Sequence, residues 1–274
     1  MKKSFKRSAA LLLTAAMVSS ASICALADGV PGVPATSAAQ QTTAAATQTA
    51  AGLPLQEDQR VLDFYKDSVI IGDSVADGFN RFAQGNKTNP LMGELQFLTA
   101  SRYSLHSALV PVAQDSTIAH PLYQGKFMNV WDSIQLMGAK HVYLFFGFND
   151  LGDRTDTIVQ HYTELIQKIK AQNPDTDFTI ISTTYVYPGY VQNFKGVKSW
   201  AVDSKTVRKL NTEMKKKADA NGWGYINVAD RLADANGDLD PKYCSDQAFH
   251  QNADAYVIWA QCFREYAASK NFAH

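Results

Sequence analysis

Three short stretches of this chain hold the residue types that acyl transfer to a hydroxyl requires. The first is Gly72-Asp73-Ser74, which follows the β-branched run Val69-Ile70-Ile71 and precedes a helix-like stretch opening at Val75. A serine at such a strand-to-helix turn sits where open α/β sheets keep their sites. The helix's first N–H groups there suit a developing negative charge. The same serine also reads as an ordinary helix N-cap. The second stretch places Asp246 four residues before His250. A serine nucleophile needs a base to take its proton, and the base needs a carboxylate to fix its tautomer. Of the six histidines, only His250 combines a close acid with a loop position before a helix. His141 opens a strand, His161 lies on a helix, His106 and His120 fall in an irregular region, and His274 is the last residue. The third stretch is Gly147-Phe148-Asn149-Asp150. Gly147 permits close backbone approach, and the Asn149 amide can donate to an oxyanion. Alone, these are also the residues of a strand-ending turn.

The elements that must position these stretches alternate in type. Strand-like runs fall at 69–71, 96–98, 141–146, 178–182 and 225–228. Helical periodicity marks 130–137, ending at Gly138, then 157–171, 204–220 and 253–268. Strands separated by helices of this length predict βαβ units and a parallel sheet with helices on both faces. The turns after Ile71, Leu98, Phe146 and Ser182 would then gather at the sheet's C-terminal edge. Residues 57–274 suffice for one well-buried domain and contain no internal repeat.

The N-terminal part is different. Lys2, Lys3, Lys6 and Arg7 precede an uncharged apolar run, and Ala25-Leu26-Ala27 offers a cleavage site. This is the pattern of a secretory signal over residues 1–27, cleaved near Ala27. Its internal Thr14, Ser19, Ser20 and Ser22 make it a poor permanent span, so no stable membrane insertion is expected after cleavage. Residues 28–56 are rich in Ala, Thr, Gln and Pro and uncharged from Gly29 onward, the composition of a disordered tether. Removing the signal takes four basic residues and no acidic one. That leaves 22 basic against 26 acidic, a net charge of −4. Such a secreted chain has no electrostatic case for binding nucleic acid or anionic membranes.

Taken in order, Gly-Asp-Ser after the first strand, Gly-x-Asn-Asp after the third and Asp…His before the last helix resemble the SGNH hydrolases, also called GDSL esterases/lipases, in a secreted bacterial form. The resemblance runs from Val69 to the C-terminus. It implies a three-layer α/β/α sandwich around a mainly parallel five-stranded sheet. It makes Ser74 the nucleophile, His250 the base and Asp246 its orienting acid. Asn149, beside Gly147, and the Ser74 N–H become oxyanion donors, and Asp73 and Asp150 hold their loops through backbone hydrogen bonds. It implies no metal and no cofactor. Two departures stand out. The family places its acid three residues before the histidine, not four. It also has a glycine in the turn after the second strand, where this chain reads Leu98-Thr99-Ala100-Ser101-Arg102-Tyr103-Ser104. The N–H of Ala100, Ser101 or Arg102 can substitute, and Ser101 is taken as the site residue.

The expected partner is a small-molecule or polysaccharide ester, with acetyl groups on carbohydrate preferred over other short-chain esters, and the protein is expected to be a monomer. Tyr185, Tyr187, Tyr190 and Trp200 can stack on sugar, line an acyl pocket or form a loop's own core. A non-catalytic binding protein on the same scaffold is the competing class. Cys244 and Cys262 read either as a disulfide or as two separate thiols.

Overall fold

A computed structural model describes residues 58–85, 92–112, 117–193 and 201–274. The expected signal and tether, and Trp200, lie outside these residues. The central sheet comprises β1 (Ser68–Gly72), β2 (Gln96–Thr99), β3 (His141–Phe145), β4 (Asp177–Ile181) and β5 (Gly224–Ile226). Its order is β2-β1-β3-β4-β5, and every pairing is parallel. The helices are α1 (Gln59–Phe64), α2 (Ser74–Ala83), α3 (Leu105–Leu109), α4 (Val130–Met137), α5 (Thr155–Gln172), α6 (Ser204–Asn221) and α7 (Ala253–Ser269). This is the expected α/β sandwich.

The central strands are continuous apolar runs because helices cover both faces. All five residues of β1 are buried. The aromatic core forms where α7 meets α2 and the sheet. Trp259 packs on Phe79 and Phe145, and Phe263 packs on Phe79 and Tyr143. Gly138 ends α4 with φ of 67°, the left-handed cap that its sequence predicts. Two short helices were not legible, α1 and α3. Each is about a turn or slightly more, too short for periodicity to register. Cys244 and Cys262, the cysteines among the described residues, are both free thiols. Cys262 is buried, and the Cys244 Sγ lies 3.5 Å from Asp246. Among the described residues, no helix is long and apolar enough to cross a membrane.

Candidate active site

The turn after β1 is built around a steric requirement. A Cβ on Gly72 would fall 2.6 Å from the Ala76 Cβ and 2.8 Å from the Phe145 carbonyl oxygen. Glycine therefore lets β1 turn into α2 directly beside β3. Asp73, not Ser74, is the N-cap of α2, its Oδ1 accepting from the Val75 N–H at 2.9 Å. Ser74 is the first helical residue. Its hydroxyl is thus released from capping, and its N–H is one of the helix's orphan donors.

The Ser74 Oγ instead lies 2.9 Å from the His250 Nε2, and the His250 Nδ1 lies 2.6 Å from the Asp246 Oδ2. The three residues come from 176 positions of sequence separation to one hydrogen-bonded chain. Asp246 also organises its own loop. Its Oδ1 accepts from the N–H groups of Ala248, Phe249 and His250 at 2.9–3.1 Å. The fourth residue of spacing is absorbed by Gln247, whose φ is 57°. Ser245 donates to the His250 carbonyl and Asn252 to the Tyr243 carbonyl, closing the loop at its base. Burial pushes the Asp246 carboxyl up, but the His250 and Ala248 hydrogen bonds outweigh it and leave the group below its ordinary value. Behind the histidine, the Gln251 side chain links Trp259 Nε1 (2.7 Å) to Thr184 Oγ1 (2.6 Å) in a buried relay. That relay fixes the next residue to both α7 and the loop after β4.

Asn149 arrives from the end of β3. Tyr162 Oη and Thr183 Oγ1 hold the backbone of Phe146. Gly147 follows at φ of 147°, where a Cβ would lie 2.7 Å from the Thr183 Cγ2. The Asn149 Nδ2 donates to the Tyr103 carbonyl at 3.1 Å and lies 3.5 Å from the Asp73 Oδ2. One of its N–H bonds is committed, and the other is only loosely engaged. Asp150 is buried and accepts from the Leu105 N–H at 2.9 Å, fixing the start of α3 to this turn. Burial pushes Asp150 up to about 8 against the Leu105 and His106 amides, with the nearby Asp73 adding to the rise. Burial likewise pushes Asp73 up to about 7 against the Val75 and Ala76 amides.

The glycine-free turn closes the arrangement. The Ala100 N–H is bonded to the Gly72 carbonyl at 3.2 Å, which removes it as a donor. Tyr103 N–H donates back to the Ala100 carbonyl, and Arg102 has φ of 61°. A positive φ at the third position of such a turn is where glycine is favoured. Arg102 therefore occupies the glycine-like position, one residue beyond Ser101. Sequence reading offered Arg102 as one of three donors and took Ser101, because the left-handed backbone that sets Arg102 apart leaves no compositional trace.

Among the loop aromatics, Tyr185 is buried and donates to Asp230, with the Arg208 guanidinium over its ring, so it belongs to the loop's own core. Tyr190 instead meets Phe249 edge-on, ring centres 6.0 Å apart. Phe249 stacks on Phe148 at 4.6 Å and lies 4.6 Å from the His250 ring. An aromatic wall thus flanks the histidine, anchored by the Tyr187 N–H donating to the Ala248 carbonyl.

A hydroxyl, an imidazole and a carboxylate in series, beside a helix N-terminus and a side-chain amide at the C-terminal edge of a parallel sheet, define a serine hydrolase of the α/β class. A family model for GDSL-like lipases/acylhydrolases matches residues 70–258, and the chain belongs to that family. It is an enzyme that hydrolyses ester bonds. Among solved structures, a GDSL-like lipase from Bacteroides thetaiotaomicron is 14% identical, with 80% of this chain and 94% of that one covered and a TM-score of 0.54. A presumptive acylhydrolase from Bacteroides fragilis is 14% identical over 80% of this chain and 100% of the other, with a TM-score of 0.55. These likenesses show the same fold. Comparison with curated proteins gives no significant match.

Proposed function

We propose that the protein is a secreted, monomeric serine esterase that removes short acyl groups, acetyl foremost, from carbohydrate. The observation that carries the reading is the continuous Ser74–His250–Asp246 hydrogen-bonded chain. His250 Nε2 takes the Ser74 proton as Oγ attacks the ester carbonyl, and Asp246 holds the ring with its proton on Nδ1. The tetrahedral oxyanion receives N–H groups from the Ser74 backbone, the Asn149 side chain and the turn carrying Ser101 and Arg102. Each such donor is worth about 10²–10³ in rate. We assign the turn's donation to the Arg102 N–H, since Arg102 has the glycine-like backbone. His250 passes its proton to the departing alcohol. It then activates the water that releases the acid and restores the Ser74 hydroxyl.

Secretion rests on the signal pattern of residues 1–27. The carbohydrate preference rests on the aromatic faces of Phe249 and Tyr190 beside the base and on the mildly acidic, tethered character of the processed chain. The test is hydrolysis of aryl acetate, butyrate and octanoate, with acetate release from an acetylated polysaccharide measured alongside. The reading expects acetate to be preferred by at least tenfold and acetate to be freed from the polymer. Equal or better octanoate turnover with no release from the polymer would overturn the substrate assignment.

A further inference from the structure

At the opposite edge of the sheet from Ser74, three side chains converge. His141 and Asp177 open β3 and β4 and are paired in register. The His141 Nδ1 lies 2.8 Å from the Asp177 Oδ2. His274 reaches the same oxygen from elsewhere in the chain. After α7, Asn271 and Phe272 both take left-handed backbone, φ 55° and 56°, which is unfavourable for a bulky residue. That turn returns the chain across α1, where the Arg60 guanidinium covers the Phe272 ring at 4.4 Å. The His274 ring then slots between Phe64 and His141, with ring centres 3.9 and 3.3 Å away.

The hydrogen bonding fixes the tautomer. The His274 Nε2 lies 2.9 Å from the Phe64 carbonyl oxygen, which can only accept, so Nε2 carries a proton. In the neutral ring Nδ1 is then a bare lone pair, 3.9 Å from the Asp177 Oδ2. A lone pair and a carboxylate oxygen facing each other repel unless a proton or a metal cation lies between them. The ligating atoms of His141, Asp177 and His274 all lie within 4.8 Å of one another.

We propose that His141 Nδ1, Asp177 Oδ2 and His274 Nδ1 form a binding site for a late first-row divalent cation, with zinc the principal candidate. Two imidazoles and one carboxylate are a zinc donor set, with water completing four-coordination. The Nε2–H bond to a backbone carbonyl is the outer-shell contact that ligating histidines make. The His141 Nδ1 now donates to the Asp177 Oδ2 and the two rings are stacked with 12° between their planes, so binding requires the His141 proton to pass to Nε2 and the His274 ring to swing about its Nε2–H bond to Phe64 until both Nδ1 lone pairs meet one ion. The site lies a five-residue strand, about 16 Å, from the catalytic edge. Its effect is to fasten the segment after α7 to β3, β4 and α1, not to take part in ester cleavage.

The test is titration of the untagged, chelator-treated protein with ZnCl₂ by calorimetry, with thermal unfolding and aryl acetate hydrolysis in parallel. The expected result is one zinc per chain, and a Tm rise of about 5–10 °C at a hundredfold excess over Kd. His274→Ala and His141→Ala should each weaken zinc at least tenfold, with hydrolysis unchanged. Should His141→Ala fail to fold, His274→Ala alone serves. Co²⁺ should give the visible absorption of a four-coordinate site, lost in His274→Ala. No saturable binding up to 1 mM ZnCl₂, or unchanged affinity in His274→Ala, overturns the proposal and leaves an ordinary histidine–carboxylate pair.

Discussion

Replacing Asp246 by asparagine separates the two tasks that the structure gives this residue. The Oδ1 atom accepts from three backbone N–H groups, and the Oδ2 atom accepts from the His250 Nδ1. Asparagine can keep the first set through its own carbonyl oxygen. It then places an NH₂ against Nδ1, which must become an acceptor, so the proton moves to Nε2. The base can no longer take the Ser74 proton. Stabilisation of the imidazolium formed during attack is lost as well. Loss of tautomer control in such triads lowers kcat by about 10⁴, and weaker acids in less tightly held triads cost somewhat less. We expect a kcat reduction of about 10³–10⁴ with KM changed little. The three loop hydrogen bonds persist as neutral ones, so the stability loss should be under about 1 kcal/mol, or a few degrees in Tm. Asp246→Ala removes the loop bonds too. It should cost about 1–3 kcal/mol more, discounted from the summed bonds because the group is partly exposed to solvent. The assay is steady-state hydrolysis of aryl acetate with Tm measured on the same samples. An asparagine variant that keeps more than a tenth of the wild-type kcat would refute the orienting role assigned to Asp246.

Gly147→Ala should lower stability by about 1–3 kcal/mol, since it forces a Cβ against Thr183 at a left-handed φ; thermal unfolding measures this, and a loss below 0.5 kcal/mol would contradict it. Arg102→Gly suits the φ of 61° and should leave kcat within about threefold of wild type. Arg102→Pro removes the N–H and should cost about 10²–10³, as ester hydrolysis by chains shown to be folded will reveal. The buried carboxyls give a pH signature. Asp73 and Asp150 are raised to about 7 and about 8 in the folded protein. The stability they contribute is complete below the unfolded carboxylate pKa near 4 and is lost as pH rises through 7–8. Tm should therefore decline from pH 5 to pH 8, and Asp150→Asn should flatten that decline; parallel curves for the two proteins would count against it. Thiol titration of the denatured, unreduced chain from residue 28 onward should find two reactive groups, Cys244 and Cys262.

The middle strands of the sheet were legible because they are buried on both faces. Runs such as Val69-Ile70-Ile71 and residues 141–146 stand out with no need of alternation. The long helices α5, α6 and α7 were legible because their apolar faces repeat over four or more turns. The site was legible as three separate local patterns whose order carried more information than any one of them. What stayed hidden lies in backbone conformation and in contacts between distant residues. Ser74 taken alone read more readily as a helix cap than as a nucleophile, and the structure gives the cap to Asp73. Neither the left-handed Arg102 and Gln247 nor the Gln251 relay can be inferred from residue type. His274 looked like an ordinary terminal residue because its partners lie 97 and more positions away, at the starts of β3 and β4.

Ser74 is the nucleophile of this mechanism and His250 its base. The most direct measurement of these roles is covalent labelling by a fluorophosphonate, followed by mass mapping of the modified peptide. We expect one label per chain, on Ser74, abolished in Ser74→Ala and slowed at least a hundredfold in His250→Ala, with both variants folded. Label on any other residue, or undiminished labelling of the Ser74→Ala protein, would contradict them.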